Sequence, residues 1–187
     1  MHFIKKRVIN HKWLIIGMRN LTPTGKRWGQ FWKDRRNGES VTKIAKKNNI
    51  SVQAVYKALS SKNSKIDSLL LEAAKANRIR VYRHSKVEGF LWGYSPGFKS
   101  DVYITHSPKT GTQIWYEHEG DCEHCDALTD CLWILKTEAK ERKITIPKDL
   151  ETPTEIALDI FKAIKRKLRW NESDIKIAPR SSPRKEE

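Results

Sequence analysis

The chain predicts an α+β fold, with an all-helical N-terminal module followed by a small antiparallel sheet and two C-terminal helices. Three observations carry this. Apolar residues recur every three or four positions through residues 21–76. The register changes to alternation over residues 89–118, punctuated by the turn signals Ser95-Pro96-Gly97 and Ser107-Pro108 with Gly111. A helical period returns after residue 128. Four parts are expected: an N-terminal arm or short strand at residues 1–20, a helical module at 21–79, an α/β module with a cysteine cluster at 80–170, and a disordered tail at 171–187.

The first 17 residues have no helical period, and Met18 directly precedes the first strongly patterned segment, which makes it a second candidate start. Thr22-Pro23 supplies an N-cap with proline at the first helical position. Trp28, Phe31, Trp32 and Arg35 then recur at helical spacing, which predicts three aromatics on one buried face. Asn37-Gly38 ends this helix. A second helix is expected over residues 41–48, with Ile44 and Ala45 turned inward. Asn48-Asn49 makes the next turn, because asparagine tolerates the left-handed conformation. Ser51 caps a third helix whose Val55 and Leu59 face the core. Residues 60–64, with three serines and an asparagine, predict a break before a fourth helix at 65–76, which carries Ile66, Leu69, Leu70 and Ala73. Residues 89–95, 101–106 and 112–118 read as strands, and residues 80–86 add a candidate fourth. Residues 128–141 form a helix. Thr152 and Glu155 have capping-box spacing and open a last helix to about residue 169.

Charge narrows the function classes. The 187 residues hold 37 Lys and Arg against 22 Asp and Glu, a net charge of +15. Residues 1–20 carry 5 basic and 0 acidic residues, and residues 21–88 carry 16 and 5. Residues 89–135 carry 2 and 7, and residues 136–187 carry 14 and 10. The excess belongs to the N-terminal half, which points to a polyanionic partner for that half alone. No apolar run approaches the roughly 18 residues of a membrane span. The basic start lacks the apolar stretch and cleavage site of a secretory signal, which predicts a cytoplasmic chain.

Leu21, Thr22 and Pro23, then Gly38 with Ser40, Ile44-Ala45, Ile50-Ser51, and Val55 with Leu59 form a spaced set. It resembles the helix-turn-helix module of LuxR-type regulators and of region 4 of sigma factors. Serine-recombinase tails and many archaeal regulators have a similar unit. The resemblance spans residues 21–66, about a quarter of the chain. Many such modules place glycine in the turn, where this chain has Asn49. The physical demands are clear: Ala45 is small where two helices cross, and Ile50 and Val55 pin the turn to the core. The resemblance implies a groove-facing set of Ser51, Val52, Gln53, Tyr56 and Lys57 on double-stranded DNA. Gln53 would pair with adenine bidentately and Val52 would pack on a thymine methyl. Arg35, Lys43, Lys46 and Lys47 would position the module on phosphates.

The chain's three cysteines fall in one acidic stretch. His118, Cys122, Cys125 and Cys131 are four candidate ligands in 14 residues, and His124 is a fifth. Two cysteines separated by two residues suit Zn2+ or an iron–sulfur cluster. Neither signature is complete, because a second such pair is absent and the fourth cubane ligand would be His118, His124 or remote His106. Neighbouring Glu117, Glu119, Asp121, Glu123, Asp126 and Asp130 would raise the thiol pKa values, a repulsion that a bound cation would offset. Reduced core cysteines, or one disulfide with a leftover thiol, are the structural alternatives.

The strands carry Phe90, Trp92, Tyr94, Phe98, Tyr103, Trp115 and Tyr116 with only Lys99 and Lys109 between them. Core and cross-strand pairing is therefore expected rather than a stacking platform for single strands, and a hydrophobic ligand pocket is a further option. The last helix sets Ile156, Ile160, Phe161, Ile164 and Leu168 inward and Lys162, Lys165, Arg166, Lys167 and Arg169 outward, and it could form a homodimer contact. No phosphate-binding glycine loop, zinc-protease motif or nucleophile elbow is present, so a non-enzymatic, sequence-specific transcriptional regulator is expected. Two alternatives use the same module: a recombinase- or transposase-like enzyme or accessory, with Asp101, Glu117 and Asp121 as magnesium candidates, and an adaptor that docks on the transcription machinery.

Overall fold

The computed structural model describes residues 23–117, 122 and 124–171. The expectations for the N-terminal arm, the Thr22 cap, His118, Asp121 and the tail after Asn171 lie outside these residues. The order of elements is α1 (Pro23–Arg36), α2 (Val41–Lys47), α3 (Val52–Ala76), β1 (Arg80–Ser85), β2 (Phe90–Ser95), β3 (Ser100–Ser107), β4 (Gly111–Tyr116), α4 (Leu128–Arg142) and α5 (Pro153–Leu168). The fold is α+β, with helices, then a four-stranded antiparallel sheet, then two helices.

The helix ends follow local chemistry. Gly38 takes φ +91°, open to a residue without a Cβ, as the chain leaves α1. Ser40 caps α2 by accepting from the Lys43 backbone N–H at 3.1 Å, and Ser51 caps α3 through the Ala54 N–H at 3.1 Å. Between them Asn49 adopts φ +51°, the left-handed state expected at the turn. Thr152 and Glu155 form the capping box of α5, with both reciprocal bonds present.

Two helical expectations are corrected. The break at residues 60–64 is absent, and α3 runs unbroken from Val52 to Ala76. Val55, Leu59, Ile66, Leu70 and Ala73 keep one buried stripe across that stretch, and Ser64 Oγ donates back to the Ser60 carbonyl at 3.1 Å. Tertiary burial outweighs the weak helical propensity of serine and asparagine. On α1, Phe31 and Trp32 are buried as expected but Trp28, one turn earlier, is 36% exposed. The inward position at the other end belongs to Arg36, while Arg35 faces solvent.

The sheet is a meander in the order β1-β2-β3-β4. Its side chains alternate between two cores. Leu91, Val102 and Ile104 pack with α1, α2 and α3, while Phe90, Trp92 and Tyr103 pack with α4 and α5. Helices therefore cover both faces, and β2 and β3 are buried along most of their length. The first core runs without interruption from the helical segment into the strands. At Gly93 a Cβ would lie 2.5 Å from the Arg80 carbonyl oxygen and 2.7 Å from Ile79 Cγ2, beside the irregularity between Val81 and Arg83. Only glycine lets β1 approach that closely.

A buried polar cluster ties the layers together. The Arg142 guanidinium donates to the carbonyls of Glu88, Gly89 and His106 and pairs with Glu138 at 2.8 Å. Arg36 lies over the Trp32 ring, 4.5 Å from its centroid, and donates to the Glu141 carbonyl. Burial, with repulsion from Arg142, pulls Arg36 down to about 10. His106 is 1% exposed on the α1-facing side, edge-on to Trp32. Burial first, then the charges of Lys62, Arg142 and Arg36, hold it near 3, so its ring is neutral at physiological pH.

Candidate nucleic-acid interface and the cysteine cavity

The first turns of α3 are buried on one side only. Farther along the helix, Asp67 pairs with His84 of β1 at 3.1 Å. Residues 52–59 pack through Val55, Ala58 and Leu59 into the core that holds Ile44 and Ala45 of α2 and Leu91, Val102 and Ile104 of the sheet. Their opposite side is open. Val52, Gln53, Tyr56 and Lys57 are all exposed, and Tyr56 is 60% exposed. The spacing explains this, because positions 52, 53, 56 and 57 share one helical face while 55, 58 and 59 fall on the other. Ser51 is at the helix start, with its oxygen committed to the cap.

The four phosphate-positioning candidates lie on the neighbouring elements. Lys43 and Lys46 are exposed on α2. Lys47 is exposed and reaches Asp34 of α1 at 3.7 Å. Arg35 is exposed at the end of α1 and donates to the Glu39 carbonyl at 3.3 Å. Residue spacing did not single out Arg27, whose guanidinium donates to the Asn48 carbonyl at 2.8 Å and lies over the Phe31 ring. It ties α1 to the turn. Its four-residue separation from Phe31 was the available signal.

The cysteines lie on the other side of the sheet. Cys122, Cys125 and Cys131 line one cavity of about 110 Å3, between the β4 end, the segment before α4, and the first turns of α5. Aromatic side chains Tyr103, Trp115, Tyr116 and Phe161 form much of its wall. Cys122 Sγ lies 3.4 Å from Thr154 Oγ1. Burial, then proximity to Cys125, Cys122 and Asp130, pushes the Cys131 thiol up, which keeps it protonated. Among the described residues, no three His, Cys, Asp or Glu side chains are grouped so as to hold a metal ion. His106 is not among the cavity's walls and belongs to the α1-facing side, which removes it as a fourth ligand. A second, charged pocket of about 170 Å3 shares Tyr103, Glu117, Leu158 and Phe161 with the first and adds Asp101, Lys162 and Lys165.

On and just after α5, Lys162, Arg166, Lys167 and Arg169 are exposed as expected, but Lys165 turns in. Lys165 Nζ lies 4.4 Å from the Trp92 ring centroid and donates to Tyr103 Oη at 3.3 Å, and Lys167 pairs with Glu88 at 2.7 Å. Phe90, Trp92 and Tyr103 are buried, in keeping with a core role for the strand aromatics. No helix among the described residues is long and apolar enough to cross a membrane. Comparison with family models, curated proteins and solved structures finds no match to this chain.

Proposed function

We propose that this chain is a sequence-specific DNA-binding protein, acting as a transcriptional regulator, that enters the major groove of double-stranded DNA with the first turns of α3. One observation carries the reading. Val52, Gln53, Tyr56 and Lys57 project from one face of a helix end whose opposite face is locked into a core. Residues 52–59 span roughly 12 Å at the helical rise, comparable to the major-groove width of about 12 Å.

The chemistry at that end suits the task. The α3 N-terminus favours phosphate oxygens through its dipole, Gln53 offers an amide for adenine, and Val52 offers a methyl contact for thymine. Lys43, Lys46, Lys47 and Arg35 supply positive charge on α2 and α1, beside the helix end. The test is fluorescence anisotropy with random-sequence duplexes at low salt, with Mg2+ present in a parallel set. Salt-dependent binding without strand cleavage is expected. Absence of duplex binding refutes the reading, and Mg2+-dependent nicking replaces it with a nucleic-acid-processing enzyme.

A further inference from the structure

The two adjoining pockets between the sheet, α4 and α5 are not used by the DNA-binding reading. We propose that they form one binding site for a free α-amino acid with an apolar side chain, which lies in the thiol-lined chamber while its carboxylate and ammonium occupy the charged vestibule.

The chamber dictates the side chain. Its walls are aromatic and aliphatic, and the Tyr103 and Phe161 rings stack at 4.6 Å to give it a flat floor. Its three sulfurs are soft and polarisable, and they favour contact with apolar or thioether groups. A chamber of about 110 Å3 is smaller than the apolar cavity of about 150 Å3 that admits benzene, and it suits an aliphatic or thioether side chain of leucine or methionine size better than a phenyl ring.

The vestibule dictates the head. It presents two carboxylates, Asp101 and Glu117, and two ammonium groups, Lys162 and Lys165. Asp101 is oriented by the Trp92 indole N–H at 2.8 Å, and Lys165 is held against the Trp92 and Tyr103 rings. Glu117 and Lys162 are exposed and have no ion pair among the described residues. A simple acid would set its carboxylate beside two carboxylates, and a simple amine would set its ammonium beside two lysines. Burying a charge without its counterpart is costly, whereas a zwitterion gives each sign a partner.

The test is calorimetric titration of the full chain, without DNA, using L-leucine, L-methionine and L-phenylalanine as probes. The controls are 4-methylpentanoate and isopentylamine, which each lack one charged group of leucine, and glycine, which lacks the side chain. At least one probe should bind, with the single-charge controls and glycine weaker by about tenfold or more. Glu117→Gln and Lys162→Ala, both at exposed positions, should each weaken binding about tenfold while the unliganded unfolding midpoint stays in place. The bound amino acid should also slow alkylation of the cysteines by iodoacetamide. Four results would overturn the proposal: no binding of any probe, equal binding of a single-charge control, binding unchanged in both variants, or thiol protection by Zn2+ alone with none by an amino acid.

Discussion

If α3 sits in the groove with α2 and α1 on the flanking phosphates, salt should weaken binding by a calculable amount. Arg35, Lys43, Lys46 and Lys47 are exposed on α1 and α2, and in the proposed complex their cationic groups are the phosphate contacts. Each neutralised phosphate contributes about −0.9 to the slope of log K against log salt, so four contacts give about −3.6. Raising salt from about 50 to about 200 mM should then weaken binding about 150-fold. The Lys43→Ala/Lys46→Ala double variant should lower the slope to about −1.8, and the same salt step should then weaken binding only about 12-fold. Both lysines are exposed, so the fold should be unaffected. Anisotropy titrations at five salt concentrations read the slope directly. A slope shallower than about −1, or one unchanged in the double variant, would refute the placement of α2 on the backbone.

Other outcomes follow from the interior. Arg142→Met leaves Glu138 buried without its partner and removes donors from three carbonyls, and should cost about 3–5 kcal/mol by urea unfolding; a loss under about 1 kcal/mol would contradict the clamp. Burial holds His106 near 3, against about 6.5 in an unfolded chain. Above 6.5 both states carry a neutral ring. As pH falls below that, only the unfolded chain takes the proton, and stability declines by up to about 1.4 kcal/mol per pH unit until the folded value is reached. His106→Gln should flatten that decline, and parallel curves for variant and parent would exclude His106 as its source. Gly93→Ala places a methyl against the Arg80 carbonyl and should destabilise by about 1–3 kcal/mol in thermal unfolding, whereas a neutral result would mean that β1 can shift away.

Much of the fold was legible because local signals agreed with tertiary packing. Ser51 serves as a cap, Asn49 takes the left-handed turn, and Thr152 with Glu155 forms the capping box. Where the two disagreed, packing decided: residues 60–64 look like a linker by propensity, yet they sit inside one continuous buried stripe of α3. The buried arginines were not legible. Arg36 and Arg142 owe their burial to partners 36 to 105 positions away, such as the His106 and Glu141 carbonyls. The cysteine spacing indicated that three thiols would lie close together, but not that strands β3 and β4 and helix α5 would supply the aromatic walls around them. The outward set at the start of α3 came from the helix-turn-helix resemblance, and Val52, Gln53, Tyr56 and Lys57 of that set are exposed.

The central claim is that α3 reads base sequence, and selection of bound duplexes from a random pool tests it most directly, with the parent chain beside Gln53→Ala and Tyr56→Ala. The parent should enrich a defined motif. Gln53→Ala should relax the preference at one position by about 1–3 kcal/mol while keeping the parent's salt dependence. A parent chain that enriches no motif, or a Gln53→Ala variant that enriches the same motif with undiminished discrimination, would contradict the account.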